Sequence, residues 1–199
     1  MSECNLIEPN SGLPPSSLPI LEPRLAKSAH MAVPPFVVRT AKAMDATAIG
    51  ALLRTCYTEG LKADYHPNVL AAALPIISQP KDSLIRSGTY FVADSGEGHL
   101  VASGGWSWHG PVGGVAPRDT AHMRHVVVAL DHMRRGVGRV LLDHIFASAR
   151  AQGVRRMICT STLTAAGFYE AMGFVSRGEV ALTLGPGLSF PAVQLVRDL

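Results

Sequence analysis

Cysteine is scarce in this 199-residue chain: Cys4, Cys56 and Cys159 lie far apart, with neither pairing symmetry nor metal-ligand spacing. Three such residues give no disulfide framework, and they favour a reducing compartment, read here as the cytoplasm. A long apolar run is missing as well, so no segment reads as a membrane span. The first residues lack the basic start, apolar stretch and small-residue cleavage site of a secretory signal. Charge of one sign is nowhere massed: the net charge is +3 and the arginines are spread along the chain. That balance gives no basis for a nucleic-acid surface, yet it suits an anionic small-molecule partner. Against these absences, 47% of the residues are hydrophobic, enough for one domain with a sizeable core.

Residues 1–35 differ in kind from the remainder. Pro9, Pro14, Pro15, Pro19, Pro23, Pro34 and Pro35 punctuate a serine-rich stretch without sustained periodicity. It reads as a disordered tail, followed by a folded domain over residues 36–199. Met31 leaves a second start site open, with the first thirty residues an upstream extension.

The most informative stretch is residues 123–142, MRHVVVALDHMRRGVGRVLL. An apolar run over 126–130 leads into a basic, glycine-bearing turn over 134–138 and then into helical periodicity, the order of a strand, a tight loop and a helix start. The first turn of a helix has N–H groups without intrahelical partners, and the dipole adds about half a positive charge there, so backbone alone can hold a phosphate. Gly136 and Gly138 allow close approach. A P-loop is excluded because Arg139 and Val140 follow Gly138 where Lys and Ser or Thr are needed. A dinucleotide fingerprint from Gly136 is excluded because Leu141 stands at the place of its third Gly or Ala.

The loop RRGVGR behind a valine-rich strand, with STLTAAGFYEAMGF over residues 161–174, resembles the acyl-CoA pocket of the GNAT N-acetyltransferases. The resemblance spans about residues 36–199 and is strongest over 123–174. It implies an α/β fold: a mixed, mostly antiparallel twisted sheet flanked by helices, with a splayed strand pair at the cofactor site. It implies acetyl-CoA as co-substrate, and no metal. The loop residues Arg134, Arg135, Gly136, Val137, Gly138 and Arg139 would take the pyrophosphate, and the backbone of Val126, Val127 and Val128 would pair with the pantetheine arm as if it were a strand. Family members carry Gln or Arg three residues before the first glycine; Met133 stands there, and the neighbouring arginines supply the positive charge. Tyr169, within the FYE-x-x-GF arrangement, would face the cofactor sulfur, and His122, six residues before the end of its strand, takes the place of a general base.

The chemistry accounts for both roles. An amine with a pKa near 10.4 is protonated at pH 7 and must lose a proton before or as it attacks a thioester. Histidine, near 6.5, accepts that proton directly or through water. A phenol can donate to the departing thiolate. The expected activity is acetyl transfer to a primary amine of a small molecule in a ternary complex, with acceptors on a protein lysine or N-terminus, and a noncatalytic acyl-CoA sensor, as the other readings. Neither nucleic acid nor membrane is an expected partner, and a homodimer is left open.

Around this centre the pattern gives a strand at 36–39, then a helix from an Asp45 N-cap to about Tyr57 with Ile49, Leu52, Leu53 and Cys56 on one face. A second helix spans 67–77 with proline at its first turn. A hairpin joins 89–93 to 100–107 through Gly96 and Gly98. Gly104 and Gly105 mark a bulge or a close approach, and Trp106 and Trp108 either cap the core or wall the acceptor site. In the strand over 121–128, alternation puts His122, Arg124, Val126 and Val128 on one face and Met123, His125 and Val127 on the other. A helix from Gly138 to about Gln152, a buried strand at 157–161, a helix over 164–172 and closing strands at 174–184 and 193–197 complete the reading.

Overall fold

The computed structural model describes residues 36–96, 98–110 and 117–199. The tail expected over residues 1–35 and the middle of the 110–117 loop lie outside the described residues. Strands β1 (Val37–Thr40), β2 (Tyr90–Asp94), β3 (Leu100–Ser107), β4 (Thr120–Val128), β5 (Arg156–Ser161), β6 (Val175–Gly185) and β7 (Leu188–Asp198) form one sheet in the order β1-β2-β3-β4-β5-β7-β6. Its neighbours run antiparallel except β4 and β5, which are parallel. This is the mixed, mostly antiparallel arrangement read from the sequence.

Helix α4 (Val137–Ala151) covers one face, because Leu141, Leu142, Ile145, Phe146 and Ala149 recur at helical spacing and all are buried. Each large side chain of that stripe contributes about 1.5–3 kcal/mol on burial. With α5 (Ala166–Ala171) it closes a core that includes Trp106, Met123, Met157 and Leu195. The other face carries α1 (Ala46–Gly60), whose Ile49, Leu53 and Cys56 pack with Tyr90, Val92 and the four-residue helix α3 (Asp82–Ile85). Helix α2 (Pro67–Ile77) packs beside the β6–β7 hairpin through Leu70, Ala73 and Phe190.

Three expectations are corrected. Asp45 does not cap α1 with its side chain; its carboxylate accepts the Lys42 N–H at 2.7 Å, one short turn earlier, and two Arg39 N–H bonds at 2.8 and 2.9 Å. Arg39 reaches Asp94 as well, at 2.9 Å, so it ties β1, β2 and the start of α1 together. β7 begins at Leu188 rather than 193, running through Pro191. Its pairing with β5 starts only at Val193, so at Pro191 the strand has β6 alone as a neighbour and one edge where a missing N–H costs no ladder bond. Simple alternation fails in β4. Arg124 faces Gly105 and Val127 faces Ser103, so His125 and Val126 together oppose Gly104, a bulge with His125 at a φ of 45°. Beyond it the faces exchange: Val126 and Val128 pack with Met123 on the α4 side, while Val127 joins the α1 side.

The glycine pair explains how the bulge is held. A Cβ at Gly104 would lie 2.7 Å from Val126 Cγ2, and one at Gly105 would lie 2.4 Å from the Thr89 carbonyl and 2.8 Å from the Tyr90 ring. Tyr90 thus crosses directly over Gly105, and its hydroxyl lies 3.2 Å from both Ser103 Oγ and the His125 carbonyl. Trp106 is a core residue on the α4 side, its indole N–H donating to Ser148 at 3.2 Å, and Trp108 packs edge-on against it.

Candidate active site

The parallel contact between β4 and β5 is short. It consists of Thr120 with Arg156, Ala121 with Met157 and His122 with Ile158, after which the strands part. The remaining β4 residues, Met123–Val128, have no described partner on that edge, and the sheet opens in a V with His122 at its vertex. This is the splayed pair expected from the sequence. Ala129 N–H bonds the Val101 carbonyl at 2.8 Å, so ladder alternation turns the N–H and C=O of Val127 toward β3 and those of Val126 and Val128 toward the gap. The Val128 carbonyl already accepts the Cys56 thiol at 3.3 Å.

The glycine loop stands at the mouth of this gap. Gly136, at a φ of 83°, is the N-cap of α4 without a side-chain cap, and a Cβ there would meet nothing. Glycine is required for conformation. Gly138 is required for space, since a Cβ would come within 3.1 Å of the Phe168 ring and 3.4 Å of Val128. The loop therefore binds α4 to both α5 and the end of β4. The N–H groups of Val137, Gly138 and Arg139 have no acceptor among the described residues, and Arg134, Arg135 and Arg139 are exposed without ion pairs there. Loop amides, a helix N-terminus and three cations on one stretch can hold an anion.

Tyr169 is 5% exposed and lies against Cys159, with the rings of Phe168 and Phe174 edge-on. Burial and then Cys159 push its pKa well above the usual phenol value, with Tyr57 and Tyr90 adding to the rise. Tyr57 and Tyr90 are themselves raised, chiefly by burial. The thiols of Cys56 and Cys159 are pushed up by burial to about 11 and about 12, so both stay protonated and neither behaves as a nucleophile. Sequence reasoning missed Tyr57 and Tyr90; only a fold that joins α1, β2 and β5 brings these groups to Tyr169.

On the α1 side the vertex is basic. His122 is lowered by burial and by Arg124 and His109, so it is neutral and able to accept a proton at pH 7. His125 does not face away from it, as alternation had suggested: the bulge lays its ring against the Ile77 carbonyl at the end of α2, and burial beside Arg124 brings it down to about 4. The floor of this side is tied by Tyr65, whose hydroxyl accepts the Leu163 N–H at 2.8 Å and donates to the Pro191 carbonyl at 2.9 Å while its ring stacks on Phe190.

Residues 86–176 match the family model described as an acetyltransferase (GNAT) domain. Over those residues the chain is similar to a GNAT acetyltransferase domain. Among solved structures, a GCN5-related N-acetyltransferase of Rhodopseudomonas palustris superposes at a TM-score of 0.64, with 19% identity over 85% of this chain and 99% of that one. A GCN5-related N-acetyltransferase of Kribbella flavida gives 0.56, at 22% identity over 83% and 98%. The PaiA N-acetyltransferase of Thermoplasma acidophilum, solved with coenzyme A, gives 0.58, at 10% identity over 82% and 99%. These likenesses establish the GNAT fold. N-acetyltransferase family 8 member 3 of Rattus norvegicus is 30% identical over 69 residues, covering 33% of this chain and 30% of that protein. The GNAT match starts after α1 and α2, the elements that line the basic side of the vertex. No helix among the described residues is long and apolar enough to cross a membrane.

Proposed function

We propose that this GNAT domain moves an acetyl group from acetyl-CoA to a primary amine of a small molecule by direct transfer in a ternary complex. The observation that carries the reading is the V between β4 and β5, which opens at His122 and faces the uncapped start of α4. Bound there, acetyl-CoA supplies the activated acetyl thioester. The residues present fit it: Arg134, Arg135 and Arg139, with the amides of Val137 and Gly138 behind Gly136, take the pyrophosphate. The open edge of Val126 to Val128 takes the pantetheine arm, with the groups of Val126 and Val128 turned into the gap.

His122, directly or through a water, removes the amine proton. Tyr169 acts at the leaving sulfur. A proton passing from a phenol held above 10 to a thiolate near 8.5 travels uphill, so Tyr169 serves as a neutral hydrogen-bond donor to the developing charge. Buried, free Cys56 and Cys159 suit a reducing compartment and support a cytoplasmic setting.

Thermal unfolding with acetyl-CoA, and with NADH as control, tests the co-substrate. At a hundred times its dissociation constant a ligand stabilises by about 2.7 kcal/mol, which moves the midpoint of a chain this size by roughly 5–11 °C. No shift with acetyl-CoA refutes the reading. Free-thiol release over a panel of amines then tests transfer, with Tyr169→Phe expected to lower kcat about a hundredfold and to leave the KM for acetyl-CoA near that of the parent. Binding without turnover of any amine would favour a sensor.

A further inference from the structure

We propose that the acceptor amine also carries a carboxylate, and that Arg124 is the residue that selects it. The inference rests on the acetyl-transfer reading of the V. Arg124 stands on β4 two residues from His122, on the same face of the strand before the bulge. It is half-buried, and among the described residues only its Nη1 is engaged, by Ser107 Oγ at 3.0 Å and the His109 carbonyl at 3.4 Å. Nε and Nη2, the edge that forms a two-pronged bond with a carboxylate, have no described protein partner.

Among the described residues no counter-charge answers this cation. Arg39 is held between Asp45 and Asp94, and Arg156 is paired with Asp198, whereas no described carboxylate reaches Arg124. The 111–116 segment that follows His109 contains neither Asp nor Glu. The titratable groups around Arg124 are His109, His122, His125 and the Tyr90 phenol, and none brings a negative charge at neutral pH. Nor do the three histidines form a group that could hold a metal ion among the described residues. A guanidinium half removed from water without a counter-charge is costly, and a ligand carboxylate restores the missing interaction. Two residues along a strand separate side chains by roughly 7 Å. An amine at His122 and a carboxylate at Arg124 therefore belong to one small molecule with a few bonds between them, as in an amino acid.

The test is free-thiol release at saturating acetyl-CoA with matched pairs: free L-amino acids and their C-terminal amides, for the parent chain and for Arg124→Gln and Arg124→Lys. The amide has the less basic amine and so more of the reactive free base, so a preference for the acid runs against intrinsic reactivity. The expected result is a kcat/KM at least tenfold higher for the acids. Arg124→Gln brings that ratio near one, through KM for the acid and with the KM for acetyl-CoA held, and Arg124→Lys recovers part of it. Equal use of acids and amides by the parent overturns the proposal even if the variants fail to fold, and so does a ratio unmoved by Arg124→Gln. Failure of every amine alongside tight acetyl-CoA binding removes the transfer reading itself, a separate outcome recognisable by the absence of any turnover.

Discussion

Replacing Gly105 by alanine adds one methyl group at the most crowded glycine near the site. The new Cβ would stand 2.4 Å from the Thr89 carbonyl, 2.7 Å from Tyr90 Cα and 2.8 Å from Tyr90 Cδ2. Two of these three neighbours are backbone atoms of the adjacent strand, so no side-chain rotation relieves the overlap. Overpacking of a tight core costs about 1–3 kcal/mol, and the backbone contacts place Gly105→Ala at the upper end. A loss of about 3 kcal/mol corresponds to a fall of roughly 6–12 °C in Tm for a chain of this size. Tyr90 must also move, which loosens its hydroxyl from the His125 carbonyl and with it the bulge that aims the open end of β4. Gly60→Ala is the matched control. Gly60 ends α1 with nothing within 4 Å of a new Cβ and no positive φ, so alanine there stabilises by about 0.5–1 kcal/mol. Urea unfolding of the three chains at pH 7 gives both differences. A Gly105→Ala chain within 0.5 kcal/mol of the parent would refute the close crossing of Tyr90 over β3.

Gly136→Ala faces open space but a φ of 83°, so a strain of about 1–2 kcal/mol should appear as a lower Tm together with weaker acetyl-CoA binding by calorimetry. Asp45→Asn removes the anion that holds Arg39 and the Lys42 N–H, at a cost of about 2 kcal/mol at pH 7. Arg39 holds the Asp45 carboxyl below its usual value, so its contribution is complete above the unfolded pKa of about 3.9 and is lost as pH falls through the lower folded value; urea midpoints of parent and variant should converge only in that acid range. Tyr65→Phe keeps the ring stack on Phe190 but leaves the Leu163 N–H and the Pro191 carbonyl without their partner, a loss of about 1–3 kcal/mol readable in the same unfolding assay.

The parts of the site legible in the sequence are those encoded by punctuation. Gly136 and Gly138 between a valine run and an amphipathic stripe mark a loop and a helix start, and α4 begins at Val137. Proline at Pro67 likewise fixed the start of α2, which spans Pro67–Ile77. Features that depend on a distant partner were not legible. Asp45 has the local look of an N-cap, and only the folded chain brings Arg39 and Asp94 to its neighbourhood. The β4 bulge inserts one residue without any compositional mark on β4 itself; its trace lies on the opposite strand, in Gly104 and Gly105, which a linear reading of alternation does not connect to His125. Arg124 drew no attention for a similar reason, since the lack of a counter-ion is a property of surroundings. The four-residue helix α3 is too short for a period to show.

The brevity of the β4–β5 contact bears on how the protein breathes. Three residue pairs join a four-stranded half, β1 to β4, to a three-stranded half, β5 to β7 and β6, and helix packing must carry what the backbone does not. The line between the halves is thus the weakest seam of the sheet, and amides beside it should exchange with deuterium by local opening well before the interiors of β3 and β7 do. An extended molecule lying along the freed edge of β4 would stitch the two halves together. Ligation would then slow exchange on both banks of the seam at once, turning two loosely coupled units into one cooperative body.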